Sequence, residues 1–107
     1  MMLTVSDDIL VNIYDYITPK NGETFTTLLE HKNIKINRII SSDNVEETEY
    51  IQEEDEWLVV LDGKATLLLK DEKKTLIKGE SLFIPSKTPH RVLSTQNGTV
   101  WLTVHIF

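Results

Sequence analysis

The feature that most constrains this chain is its rhythm from residue 34 to the end. Short runs rich in β-branched and large apolar residues alternate there with turn chemistry. The runs are IKINRII (34–40), EWLVVL (56–61), KATLLLK (64–70), KTLIK (74–78), SLFIP (81–85), HRVLS (90–94) and TVWLTVHIF (99–107). DEKK, GE, SKTP and TQNG separate the later ones. Val, Ile, Thr and aromatic residues suit a pleated, half-buried surface, and Gly, Pro, Asn and Asp supply the backbone angles that turns need. Short strands at roughly 8–12-residue spacing predict an all-β sandwich or barrel. Asp62-Gly63, between two apolar runs, is a two-residue hairpin signal. Ahead of residue 34 the pattern changes. Phe25, Leu28 and Leu29 stand at helical spacing, with Glu23 early and Lys32 late, and predict a short helix over 22–31 with His31 near its end. Nothing reads as a linker, so residues 1–107 are expected to form one domain.

Charge and composition exclude several classes. Acids outnumber bases 17 to 11, for a net charge of -6. A nucleic-acid backbone or an anionic membrane would be repelled by most of such a surface, so neither is an expected partner. With no cysteine there is no disulfide and no thiolate metal site. The start, MMLTVSDDILVNIYDYI, has no basic region and carries acids early, unlike a signal peptide. The longest unbroken apolar run, Trp57–Leu61, is too short to span a bilayer. The expected setting is cytoplasmic. Both faces of the strands in 57–69 are apolar; one can fill a barrel, and the other needs a cover. That predicts a homodimer.

The stretch YIQEEDEWLVVLDG (50–63) presses four acids against the most apolar strand. Either all four belong to a solvated turn, or one points inward. Spacing favours the second reading. Glu56 is followed by six residues and Gly63; Gly79 is followed by five residues and Pro85, and His90 comes five later. This arrangement resembles the two sequence motifs of the cupin superfamily, at 50–63 and 79–94. The second half of the first motif and the Gly, Pro and His of the second are present. The His-x-His positions of the first fall on Tyr50 and Gln52, the Gly of Pro-x-Gly on Lys87, and the last Asn on Ser94. The chain looks like a subgroup of small single-domain cupins in which Tyr-x-Gln replaces His-x-His.

The resemblance implies a double-stranded β-helix, or jelly roll, with a polar site inside the barrel. Glu56 and His90 occupy motif positions and are the best catalytic candidates. Arg38, Tyr50, Gln52 and His105 are candidate ligand-binding residues by strand parity, with Glu53, Glu54 and Asp55 left in a solvated turn. The metal candidates are Gln52, Glu56, His90 and His105, for one divalent ion such as iron, manganese, nickel or zinc. Without a metal, Arg38 is the expected countercharge for Glu56, since a buried carboxylate needs compensation. The ring of Trp57 should point away from Glu56, into core or interface. The expected function is binding of a small polar molecule in the barrel. The alternatives are a metal-dependent dioxygenase or sugar isomerase or epimerase using Glu56 and His90, and a non-catalytic sensor or structural barrel. The residues leave open whether the protein is an enzyme.

Overall fold

In the computed structural model, which describes residues 10–107, the chain forms eight strands. They are β1 (Glu23–His31), β2 (Ile34–Ser41), β3 (Asp55–Asp62), β4 (Lys64–Leu69), β5 (Glu72–Ile77), β6 (Ser81–Ile84), β7 (His90–Thr95) and β8 (Thr99–Ile106). Five make one antiparallel sheet in the order β1-β2-β8-β3-β6, and three make a second in the order β5-β4-β7. The result is the jelly roll that the strand rhythm and motifs predict. Side chains from the two sheets meet between them. Leu58 and Val60 of β3, Ile84 of β6 and Trp101 of β8 pack with Ala65 and Leu67 of β4 and Leu76 of β5. The buried Trp101 indole donates to Ser41 Oγ at 2.9 Å, so its N–H is not left unpaired in the core. The first nine residues of the N-terminal stretch read above lie outside the described residues. Among the described residues, no helix is long and apolar enough to cross a membrane.

Two expectations about local structure need correction. Residues 22–31 do not form a helix; Glu23–His31 is a nine-residue strand. Thr24, Thr26 and Thr27 are β-branched and lose rotamer freedom in a helix. As a strand, β1 also pairs the free edge of β2. The helical spacing of Phe25, Leu28 and Leu29 comes from a β-bulge: the register shifts between Thr27 and Leu29, leaving Leu28 as the extra residue. His31 therefore ends a strand, not a helix.

Asp62-Gly63 is not a hairpin either. β3 pairs with β6 and β8, whereas β4 pairs with β5 and β7. The dipeptide is the corner where the chain leaves one sheet for the other. Gly63 has φ +91°, and a Cβ there would lie 2.7 Å from Thr99 Cα and 2.5 Å from its Oγ1. The glycine is required by a close backbone approach as well as by its angle. The tight link between β4 and β5 is instead Lys70-Asp71, with Lys70 at φ 54°.

Alternation along the large sheet sets what faces inward. Glu56, Leu58 and Val60 point into the barrel, and Trp57 points out, as its parity predicts. On β2 the inward residues are Asn37 and Ile39, so Arg38 faces the opposite side. The inward Arg38 expected from the sequence is thus corrected. Its Nη1 donates to the carbonyls of Ile13 and Asp15, both at 3.1 Å, and its guanidinium lies 5.8 Å from the Tyr16 ring centroid. Arg38 fastens the segment before β1 across the outside of the sheet. Arg38→Ala should cost about 1–3 kcal/mol through these charge-assisted bonds. The loss should be the same in a Glu56→Gln background within roughly 0.5 kcal/mol, because the two share no partner. Urea melts of the single and double variants check this; relief of the Arg38 defect by Glu56→Gln would show the two side chains to be coupled after all.

Candidate functional site

A chamber of about 210 Å³ opens between the sheets, and its polar end is built from the motif residues. Glu56 enters from β3, His105 from β8 and His90 from the first position of β7. Tyr50 and Gln52 enter from the segment before β3. Tyr50 forms a single antiparallel bridge with His90: the Tyr50 N–H donates to the His90 carbonyl at 2.8 Å, and the reverse bond is 3.0 Å. That bridge ties the first motif to the second sheet. The Tyr50 and His90 rings stack with centroids 5.9 Å apart. The loop before His90 is anchored the same way, by Lys87 N–H donating to the Gln52 carbonyl at 2.7 Å. Lys87, which stands where the motif has glycine, adopts φ 62°, an angle at home on glycine.

The hydrogen bonds assign the imidazole protons. His90 Nδ1 lies 2.9 Å from the Thr88 carbonyl. A carbonyl can only accept, so Nδ1 carries the proton and, in the neutral ring, Nε2 presents a lone pair. His105 Nδ1 lies 2.9 Å from Glu54 Oε2, and a carboxylate fixes the same tautomer. The two Nε2 atoms flank one carboxylate: His90 Nε2 is 3.8 Å from Glu56 Oε1, and His105 Nε2 is 3.9 Å from Glu56 Oε2. Gln52 Nε2 donates to Glu56 Oε1 at 2.8 Å, and Thr103 Oγ1 stands 3.3 Å from His105 Nε2. Glu56 and His90 are only 6% and 7% exposed. Three acceptors therefore converge in a low-dielectric place with one amide donor between them. A carboxylate buried in such a cluster calls for compensation by hydrogen bonds, a cation or a proton.

The rest of the chamber is largely apolar, apart from Glu23 and Asn37 on the β1–β2 side. Ile39, Leu58, Leu67, Val92 and Trp101 form its walls, with Phe25 also on the β1–β2 side. Its volume is below the roughly 300–1,000 Å³ of drug-sized sites, so an occupant must be compact. Among the described residues, no Lys or Arg lines it.

The structure thus brings together Glu56, His90, His105, Gln52 and Tyr50, and leaves Arg38 outside. It also adds Glu54, which the sequence reading left in a solvated turn with Glu53 and Asp55. Of these three only Glu53 is exposed. Asp55 accepts the Ser86 N–H at 2.8 Å, and Glu54 orients His105. Glu54 shares the parity of Tyr50, Gln52 and Glu56, a signal available in the sequence, but its partner lies 51 residues away.

Burial, followed by the nearby charges of Glu23 and Glu46, raises the Tyr50 phenol above its ordinary value of 10.0; a hydrogen bond with Thr48 opposes this. A raised value means that the fold favours the protonated phenol. Its contribution is present below the unfolded value and is lost as pH rises through the folded one. Stability should fall above about pH 10, and Tyr50→Phe should blunt that fall. Urea midpoints of both proteins between about pH 9 and 11 measure it; identical slopes would remove Tyr50 as the cause.

Fold and chamber together define a small β-barrel protein with an inward-facing set of two imidazoles and a carboxylate. The cupin-domain family model matches residues 42–106, and the chain belongs to the cupin family. It is similar to a candidate mannose-6-phosphate isomerase from Ralstonia eutropha JMP134, at 32% identity and a TM-score of 0.83 over 91% of this chain and 96% of that one. A cupin superfamily protein from Desulfitobacterium hafniense DCB-2 matches at 17% identity and a TM-score of 0.79, covering 95% and 93%. KdgF from Halomonas sp. matches at 16% and 0.74, covering 79% and 78%. At the last two identities the likeness is one of fold. No curated protein matches the chain.

Proposed function

We propose that the chain binds a compact, largely apolar small molecule with one polar group, beside a divalent cation held by Glu56, His90 and His105. One observation carries this reading: both imidazoles have their Nδ1 protons pinned, so both Nε2 lone pairs flank the same buried carboxylate. Two imidazoles and one carboxylate are a donor set that suits divalent iron, manganese, nickel or zinc. Outer partners that fix the tautomer, here Glu54 and the Thr88 carbonyl, are what ligating histidines ordinarily have. A cation there would supply Lewis-acid polarisation of a ligand oxygen. Gln52 holds the carboxylate in place, Tyr50 and Thr103 offer hydroxyls, and the walls beyond them are largely apolar.

A second reading is a metal-free pocket in which the histidines carry the compensating protons. It is favoured by the spacing: among the described residues, no group of three or more His, Asp or Glu side chains is gathered closely enough to hold an ion as it stands. The activity in the name of the Ralstonia protein is the weaker choice of substrate. A phosphosugar would bring a dianion into a chamber lined by carboxylates and by no Lys or Arg among the described residues.

Elemental analysis of protein purified without a metal-affinity tag separates the two readings. Near-stoichiometric metal, lost on Glu56→Gln, is the result expected. Metal-free protein that shows no saturable uptake of Zn²⁺ or Mn²⁺ would leave the proton-compensated pocket. Affinity should also weaken on acidification, since protons compete for the imidazole lone pairs.

A further inference from the structure

Glu56 and its histidines hold only one end of the chamber. The other lies on the β1–β2 side, where Glu23, Phe25 and Tyr50 line it. Strand register keeps the two ends apart. Glu56 pairs with His105 near the end of β8, whereas Glu23 pairs with Ser41, which pairs with Thr99 at the start of β8. Exposure gives the ends different characters. Glu56 and His90 are buried, while Phe25 and Tyr50 are 59% and 43% exposed. Glu23 is half-buried beside them, at the mouth of an otherwise enclosed space.

The core holds the Glu23 carboxylate in place. The Trp101 indole N–H donates to Ser41 Oγ, and Ser41 Oγ in turn donates to Glu23 Oε2. A serine hydroxyl has a single proton, so the indole's bond leaves that proton to point at the carboxylate. Ser41 and Trp101 are both buried. Glu23 is therefore anchored from beneath rather than left as a free surface side chain. A carboxylate has about four lone-pair sites, and one such bond leaves most of them to a ligand. The chamber offers it no countercharge, since no Lys or Arg lines it among the described residues. Its charge is felt across the mouth: after burial, Glu23 is the largest cause of the raised Tyr50 phenol.

We propose that this mouth binds a protonated amine, so that the chamber takes a short-chain amine in preference to an acid or a plain alcohol. The inference rests on the reading of the chamber as a small-molecule site and adds a second polar group to its ligand, at the end away from Glu56. An ammonium brings three donors and a full charge, and its bonds to a carboxylate are roughly twice as strong as neutral ones. Aromatic rings attract a cation through their faces, and Phe25 and Tyr50 line the same mouth. Glu46, the next charge acting on Tyr50, deepens the negative potential that draws cations there. The alkyl chain of the ligand then lies against Ile39, Leu67 and Val92. An acid in the same place would meet Glu23 with no countercharge.

Calorimetric titration of the full chain with hexylamine, hexanol and hexanoate, equal in length and different in head group, tests this. Hexylamine should bind roughly tenfold or more tightly than hexanol, and hexanoate should bind weakest. Glu23→Gln keeps an acceptor for Ser41 and removes only the charge. It should bring hexylamine down to the affinity of hexanol while leaving hexanol unchanged, and circular dichroism melts establish that it remains folded. Hexanol binding as tightly as hexylamine in the native protein overturns the proposal and leaves the chamber as a small-molecule site. A preference for the amine that survives Glu23→Gln also overturns it, because the amine would then sit at the Glu56 end. Absence of binding by all three removes the small-molecule reading of the chamber, and this inference with it.

Discussion

Adding Zn²⁺ or Mn²⁺ at a hundredfold excess over its dissociation constant should stabilise the native protein by about 2.7 kcal/mol, and should do nothing for Glu56→Gln or His90→Ala. For a domain near 100 residues, each kcal/mol moves the melting temperature by roughly 4–8 °C, so the native shift should be on the order of 10–20 °C. The two variants remove side chains that the proposed site uses as direct ligands. Their loss of affinity should exceed the 10–100-fold that removal of an outer partner such as Glu54 costs. Glu54→Gln therefore belongs in the same titration, as an intermediate case that keeps all three inner donors. The metal-free comparison runs the other way. Glu56 is buried beside two lone pairs, with one amide donor at 2.8 Å. Replacing it by neutral Gln should leave the metal-free protein as stable as before, or more so. Thermal melts with and without metal, together with calorimetric titration, read both effects. Equal metal-induced shifts in native protein and variants would remove Glu56 and His90 from any metal site.

Gly63→Ala should cost about 2–5 kcal/mol, the sum of roughly 1–2 for a strained backbone angle and 1–3 for overpacking. A Cβ at φ +91° would sit 2.7 Å from Thr99 Cα, which is backbone and cannot rotate away. Thr99 is itself fixed. Its Oγ1 donates toward the carbonyls of Gln96 and Lys64 and accepts from the Lys64 N–H. Relief of the clash must therefore break bonds that join β4 to the start of β8. Gly79 supplies the control. Its φ is +90°, almost the same, but nothing lies within 4 Å of the position its Cβ would take. Gly79→Ala should show the backbone part alone, about 1–2 kcal/mol. Urea unfolding of both variants isolates the price of the close approach as their difference. Equal losses would mean that the two sheets can spread at the corner without penalty.

Some of this molecule was decided by local sequence. Period-two alternation and turn residues mark strands wherever one face is buried, so β3 to β8 could be read within about two residues of their ends. Motif spacing placed Glu56 and His90 in the chamber, and parity placed His105 and Gln52 there. Glycine at 63 and 79 could be recognised from the motif, though not the reason for each. Other features depended on residues distant in the chain. Glu23–His31 is a strand because β2 offers it an edge, and a bulge at Leu28 disguises its period. Asp62-Gly63 looks like a hairpin because the local signal is identical, yet the pairing partners of β3 and β4 lie in different sheets. Arg38 turned outward because the inward face of β2 is set by its pairing with β8, which brings Asn37 opposite Thr103 and Arg38 opposite Leu102. A one-residue change of parity exchanges the two faces, and only the long-range register fixes it. Glu54 and His105 meet for the same reason. Each side chain is legible alone, but their 2.9 Å contact exists only once β8 is laid beside β3.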